Sequence, residues 1–144
     1  MTIRKVTNTR ELDITKTVDF LHRHLDEFTD SKSAIIKAID YALTPEKGKG
    51  GFVLIAQKEA KMIGALVMNK TGMHEFIPEN ILVYIAVDAS MRGKGIGKQL
   101  ITKALECSEG SIALHVEYHN PAKKLYERMG FRSKYAEMRL QRDG

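Results

Sequence analysis

This chain of 144 residues has no run of about eighteen apolar residues, which excludes a membrane-spanning helix as an expectation. It has one cysteine, Cys107, so an internal disulfide is excluded and a reducing compartment is expected. Its first residues, Met1-Thr2-Ile3-Arg4-Lys5, hold no apolar stretch of the kind a secretory leader needs. Together these absences predict a cytoplasmic protein. No run of five or more basic residues occurs, and the net charge of +5 is spread along the chain. Nucleic acid is therefore suggested by charge alone and is not expected as a partner. The same basic surface suits a ligand with several phosphate charges. Internal repeats and low-complexity tracts are also absent. With 43% apolar residues, the composition is that of one globular domain, residues 1–144, large enough to bury a core.

The apolar spacing predicts the elements. Thr2 to Val6 reads as a short strand. Asn8 with Glu11 three residues on has the form of a capping box, and Ile14, Val18, Leu21, Leu25 and Phe28 then recur at helical spacing. Asp30 or Ser31 caps a second helix bearing Ile35, Ala38, Ile39 and Ala42, which stops near Thr44-Pro45. Phe52–Ala56 and Met62–Met68 read as a hairpin, and Ile81–Val87, apolar and rich in β-branched residues, as a strand buried on both faces. A third helix carries Ile96, Leu100, Ile101, Ala104 and Leu105. Ile112, Leu114, Val116 and Tyr118 alternate as a strand. Asn120-Pro121 opens a last helix closed by Gly130, and Phe131 to Gln141 is read as one or two terminal strands. The order β-α-α-β-β-β-α-β-α-β predicts an α/β (α+β) fold, a mixed sheet with helices on both faces.

Between the buried strand and the third helix lies Asp88-Ala89-Ser90-Met91-Arg92-Gly93-Lys94-Gly95-Ile96-Gly97-Lys98. Glycines at alternate positions bare the backbone N–H groups, the helix start adds partial positive charge, and Arg92, Lys94 and Lys98 add formal charge. This chemistry suits a phosphate or diphosphate. The dinucleotide fingerprint G-x-G-x-x-G fails at Lys98. The G-x-x-x-x-G-K-[ST] loop fails because Gly93 to Gly97 is one residue short and Gln99 stands where a hydroxyl should hold magnesium.

What fits is R-x-x-G-x-G, carried by Arg92, Gly95 and Gly97 after an apolar strand. This resembles the diphosphate loop of the GCN5-related N-acetyltransferase (GNAT) family, which binds acetyl-coenzyme A. A second stretch, Asn120-Pro121-Ala122-Lys123-Lys124-Leu125-Tyr126-Glu127-Arg128-Met129-Gly130-Phe131, is similar to that family's strand, Asn, then Ala-x-x-Leu-Tyr-x-x-x-Gly-Phe. The resemblance implies a mostly antiparallel sheet splayed between its fourth and fifth strands, with the cosubstrate in the cleft. It implies that backbone groups of Ile85 and Val87 pair with the pantetheine arm. Arg92, Gly93, Lys94, Gly95, Ile96, Gly97 and Lys98 would hold the diphosphate, Asn120 would reach the pantetheine, and Tyr126 would give a proton to the leaving thiolate. Read from the residues alone, Asn120 is equally a helix cap, and Tyr126 is equally core packing with its hydroxyl satisfied.

The implied activity is direct transfer of an acetyl group from acetyl-CoA to a primary amine, on a small molecule or a protein. Many relatives carry Glu on the central strand four residues before the position of Val87. Here that residue is Val83, which cannot accept a proton. Glu75, Glu79, His74, His115 and Glu117 are candidates by sequence proximity only. The missing Glu leaves a noncatalytic acyl-CoA-binding or regulatory module as the alternative. Cys107 has no base beside it, so an acyl-cysteine intermediate is not expected. His22 and His24 would point to different helix faces, so no metal is expected. The acceptor and the oligomeric state, homodimer included, stay open.

Overall fold

The structure, a computed structural model, describes residues 1–142. The chain divides at Leu114–His115 into two compact units. The first contains β1 (Thr2–Val6), α1 (Ile14–His24), α2 (Lys32–Ala42), β2 (Gly51–Lys58), β3 (Lys61–Lys70), β4 (Asn80–Val87), α3 (Ile96–Cys107) and β5 (Ile112–Ala113). Its sheet runs β1-β2-β3-β4-β5, with every neighbouring pair antiparallel except β4 and β5, which are parallel. The β2–β3 hairpin turns on Glu59 and Ala60, both at positive φ (52° and 65°), the handedness that matches strand twist.

The first two helices start where a short polar side chain can accept a backbone N–H. Asp13 accepts from Lys16 N for α1 (3.0 Å), and Ser31 accepts from Ala34 N for α2 (3.1 Å). Asn8 and Glu11 do meet, Asn8 Nδ2 donating to Glu11 Oε1 while Asn8 Oδ1 accepts from Arg10 N, but around a single 3-10 turn at Thr9–Glu11, before α1 begins. Alternation along the strands divides the two faces of the sheet. Val53, Ile55, Ala65, Val67, Tyr84 and Ala86 pack with Val18 and Leu21 of α1 and Ile35 and Ile39 of α2. On the other face lies α3, whose Ile96, Leu100, Ile101 and Ala104 are buried. Each large side chain there contributes about 1.5–3 kcal/mol. Gly64 of β3 lets α3 approach: a Cβ would stand 3.0 Å from Leu100 Cδ1 and 3.4 Å from Ile96 Cγ2. No helix among the described residues is long and apolar enough to cross a membrane.

The second unit is organised by α4 (Ala122–Arg128). Two sequence expectations fail around it. The alternating stretch from Ile112 to Tyr118 forms a strand only at Ile112–Ala113, paired with Asn80 and Ile81. Residues 131–142 form no strand, and Tyr135, Met138 and Leu140 are exposed. Alternation marks a face, but a strand also needs a ladder of backbone partners. Phe131–Gln141 moreover contains no Val, Ile or Thr to favour extended backbone.

Candidate functional site

β4 is paired differently along its two edges. Toward β3 it is laddered from Asn80 to Val87. Toward β5 it is paired only at Asn80 and Ile81. From Leu82 to Val87 that edge meets no strand among the described residues, so the sheet splays there. The β3–β4 register passes from Met68–Leu82 to Val67–Tyr84, leaving Val83 as an extra residue. Such a bulge bends a strand and re-aims the residues beyond it. Asp88 N donates to Ile63 O at 2.9 Å, toward β3. Backbone groups alternate sides along an extended strand, so those of Val87 and Ile85 turn to the bare edge.

The bare edge runs into the glycine turn. Asp88 caps a 3-10 turn at Ala89–Met91, accepting from Ser90 N (2.9 Å) and Ser90 Oγ (2.7 Å). These hydrogen bonds hold its carboxyl below the usual range, helped by His24 and Lys61. Gly93 and Gly95 both adopt φ +80°, and a Cβ on either would meet nothing within 4 Å. Their requirement is conformational, and the space beside them is empty of protein. Gly95 is the N-cap of α3 and offers no side chain to cap it, so the first helical bond is Gln99 N to Gly95 O (3.1 Å). The N–H groups of Ile96, Gly97 and Lys98 point out of the helix start. Ile96 buries its side chain and so fixes the turn while its amide stays outward. Lys94 and Lys98 are exposed. Arg92 donates Nη2 to His24 O (2.6 Å) and Nε to Val87 O (3.4 Å), so its guanidinium ties the turn to the end of α1. A bare strand edge leading into a capless helix start fits an extended amide chain ending in a diphosphate.

In the second unit, Asn120 spends both ends of its side chain locally. Oδ1 accepts from Ala122 N (2.9 Å) and Nδ2 donates to Glu117 Oε1 (3.1 Å). Pro121, at φ −56° and ψ −27°, continues into α4. Gly130 at φ +102° closes the helix, with Phe131 N donating to Tyr126 O (3.0 Å) and Gly130 N to Glu127 O (3.1 Å). The Phe131 ring meets the Tyr126 ring edge-on at 6.0 Å. The Gly-Phe pair thus holds Tyr126 in place. Tyr126 is 8% exposed, and burial, with Glu117 adding to it, pushes its hydroxyl up to about 12.

Among the base candidates, Glu79 is tied up. Its carboxylate accepts from Ser111 N (2.7 Å) and Glu75 N (3.1 Å), and these bonds lower its pKa. Glu117 holds Asn120, and Glu75 and His115 are exposed. Two residues near β4 escaped the sequence reading. Tyr84 donates its hydroxyl to Asp30 Oδ2 at 2.5 Å, docking the α1–α2 loop on the strand. His24 meets the segment after β4. Their partners lie 54 to 68 residues away, beyond any local pattern.

The family profile described as acetyltransferase (GNAT) domain matches residues 49–133. No curated protein matches. Solved structures similar to this chain include a ribosomal-protein-alanine N-acetyltransferase from Brucella melitensis biovar Abortus 2308, at 19% identity and TM-score 0.65, covering 100% of both chains. An aminoglycoside N-acetyltransferase, AAC(6')-Iy, in complex with CoA matches at 19% identity and TM-score 0.66, over 99% of this chain and 100% of that one. A transcriptional regulator from Bacillus halodurans C-125 matches at 20% identity and TM-score 0.64, over 97% and 98%.

Proposed function

The chain belongs to the GNAT acetyltransferases, and from that premise we propose that it transfers an acetyl group from acetyl-CoA directly to a primary amine. The observation that carries this reading is the bare edge of β4 leading through open glycines into a capless α3. The family match spans both compact units, which supports one acetyltransferase domain over residues 1–144.

Bound acetyl-CoA supplies an activated acetyl group. Backbone groups of Ile85 and Val87 pair with its amide arm. The amides from Gly93 to Lys98 hold the diphosphate, and Lys94 and Lys98 add charge from the exposed side. Arg92 contributes from behind the turn, because its guanidinium is already spent on two carbonyls. Asn120 would reach the pantetheine only by releasing Glu117 or Ala122, which its side chain holds. Tyr126 keeps its proton throughout the neutral range, so it can give it to the departing thiolate.

The incoming amine must lose a proton. An alkylammonium has a pKa of about 10.4, and Val83 offers no acceptor on the strand. Activity should therefore climb with pH into the alkaline range. Tyr126→Phe should lower kcat by roughly one to three decades while keeping CoA affinity, since only the hydroxyl is lost. A plateau at neutral pH that disappears in Asp30→Asn would assign proton removal to the carboxylate docked on Tyr84, next to Val83 in the chain.

One neighbour's name refers to a ribosomal protein and the other's to aminoglycosides, so both protein and small-molecule acceptors have precedent among similar folds. Val83 favours a second reading, a noncatalytic acyl-CoA-binding module. The deciding experiment is acetyl-CoA calorimetry, followed by a small-amine and peptide screen for free CoA release with mass spectrometry of the product. Binding with release supports the enzyme, binding without release from any acceptor supports the module, and no binding overturns both.

A further inference from the structure

His24 ends α1, and three of its polar groups meet the segment that carries β4 into the glycine turn. Its carbonyl accepts from Arg92 Nη2 at 2.6 Å. Its Nδ1 accepts from Ala89 N at 3.2 Å. Its Nε2 lies 3.8 Å from Asp88 Oδ2, and its ring packs against Phe20 with centroids 4.5 Å apart. The side chain is 10% exposed. An Nδ1 that accepts an N–H carries no proton, so the proton sits on Nε2 and faces Asp88. Asp88 is held in turn by Ser90 and by Lys61 (3.7 Å), and Arg92 by Val87 O.

Gly93 and Gly95 cannot supply this order. Both sit in the left-handed region with no protein within reach of a Cβ, so neither glycine is itself packed in place. A glycine turn left to itself would have to be ordered by the ligand, at the ligand's expense in affinity. The clamp fixes residues 88–92, immediately before the first of these glycines.

We propose that His24 is a positioning residue for the diphosphate-binding turn, setting the amides after Gly93 in their ligand-binding arrangement through Ala89. The inference rests on the proposed CoA site. It also implies a pH dependence. A protonated Nδ1 would face the Ala89 N–H as donor to donor, and the clamp would open. Burial lowers the His24 pKa below its ordinary 6.5; Arg23 and Arg92 push the same way, and Asp88 and Asp26 oppose them. The imidazole is therefore neutral at neutral pH, and the clamp is lost as pH falls through the lowered value.

The test is calorimetry with 3′-dephospho-CoA, which lacks the phosphate monoester that would itself titrate near pH 6. It is run on the wild type, His24→Ala and His24→Asn from pH 7.5 down to the acid limit of the folded protein, with amide exchange followed at Ala89. At pH 7.5, His24→Ala should weaken binding about tenfold, equivalent to one more residue of the turn left unordered, and Ala89 should lose protection. His24→Asn, whose Oδ1 can accept the same N–H, should recover affinity to within about threefold and show no fall with pH. The wild type should weaken at least threefold once pH has fallen through the lowered His24 value. Unchanged affinity in His24→Ala, or a His24→Asn as weak as His24→Ala, overturns the inference. If His24→Ala fails to fold, the pH contrast between wild type and His24→Asn decides alone. A wild type that binds neither CoA nor 3′-dephospho-CoA at pH 7.5 sinks the CoA reading itself, a different result from a wild type that binds and a variant that binds equally well.

Discussion

The two ends of β4 are built on opposite principles. At its start the donors of Asn80 and the carboxylate of Glu79 are paired within the protein. Asn80 N donates to Ser111 O (3.1 Å), Asn80 Nδ2 to Glu109 O (2.7 Å), and the Glu79 carboxylate takes the amides of Ser111 and Glu75. The glycine there, Gly110, is needed for lack of room, since a Cβ would lie 2.5 Å from Glu79 Oε1. At its finish the strand edge is bare, and Gly93 and Gly95 stand beside empty space. Glycine thus serves closure at one end and vacancy at the other. The amides at the start of α3 face solvent beside exposed Gly93 and Gly95, whereas the donors at the start of β4 are paired within the protein. The proposed function makes the finish of β4 the ligand end, and that comparison can be broken by substitution.

The largest effect should come at the open end. Gly97→Val puts a branched side chain among the outward amides of α3. Val is no worse than Gly as a helix former, so the fold should survive with a melting temperature within a few degrees of wild type. CoA affinity by calorimetry should fall at least about a hundredfold, or roughly 2.7 kcal/mol. A folded variant that binds CoA like wild type would remove the diphosphate from this turn.

At the closed end the same kind of change should have the reverse signature. Gly110 sits at φ +84°, where a side chain costs roughly 1–2 kcal/mol from conformation alone. Gly110→Ala must also push Glu79 off Ser111. We expect the melting temperature to fall by several degrees and CoA affinity to stay within twofold in the protein that remains folded. Normal stability with weakened CoA would mean that the two ends are not separate in function.

How much of this was legible in the sequence differs along the chain for a physical reason. The strand Ile81–Val87, the turn and the helix from Ile96 each announce themselves locally, by β-branched content, alternate glycines and apolar spacing. The closure of α4 at Gly130 is local too, and the structure forms it, with Phe131 joining it in place of the expected strand. What failed was pairing. Nothing within Leu114–Tyr118 or Phe131–Gln141 says whether another backbone is available, and there the expected strands do not form. The same limit hid the clamp, because His24 meets Ala89 and Arg92 only after the sheet brings α1 to the end of β4. Arg92 was read for its charge, which the sequence displays; its carbonyl partners depend on the fold.

The smallest effect separates a structural carboxylate from a catalytic one. Glu79 has a lowered pKa because two backbone N–H groups favour its ionised form. A group depressed in the folded state stabilises the protein above its unfolded pKa, here near the ordinary 4.5, and that contribution disappears as pH falls through the lower folded value. Gln in its place cannot ionise, although its carbonyl can still take one of the two amides. Glu79→Gln should therefore melt below wild type at pH 6 to 8, and the gap should shrink as pH is lowered from about 4.5, because wild type loses its advantage there. Its pH–rate profile should overlay that of wild type, since the carboxylate belongs to the closed end. Melting curves across the acid range and initial rates across the neutral and alkaline range test the two halves separately. A constant melting gap at all pH values would mean that the charge of Glu79 does not stabilise the start of β4. A flattened rate profile would move proton removal to Glu79 and with it join the two ends of the strand in one function.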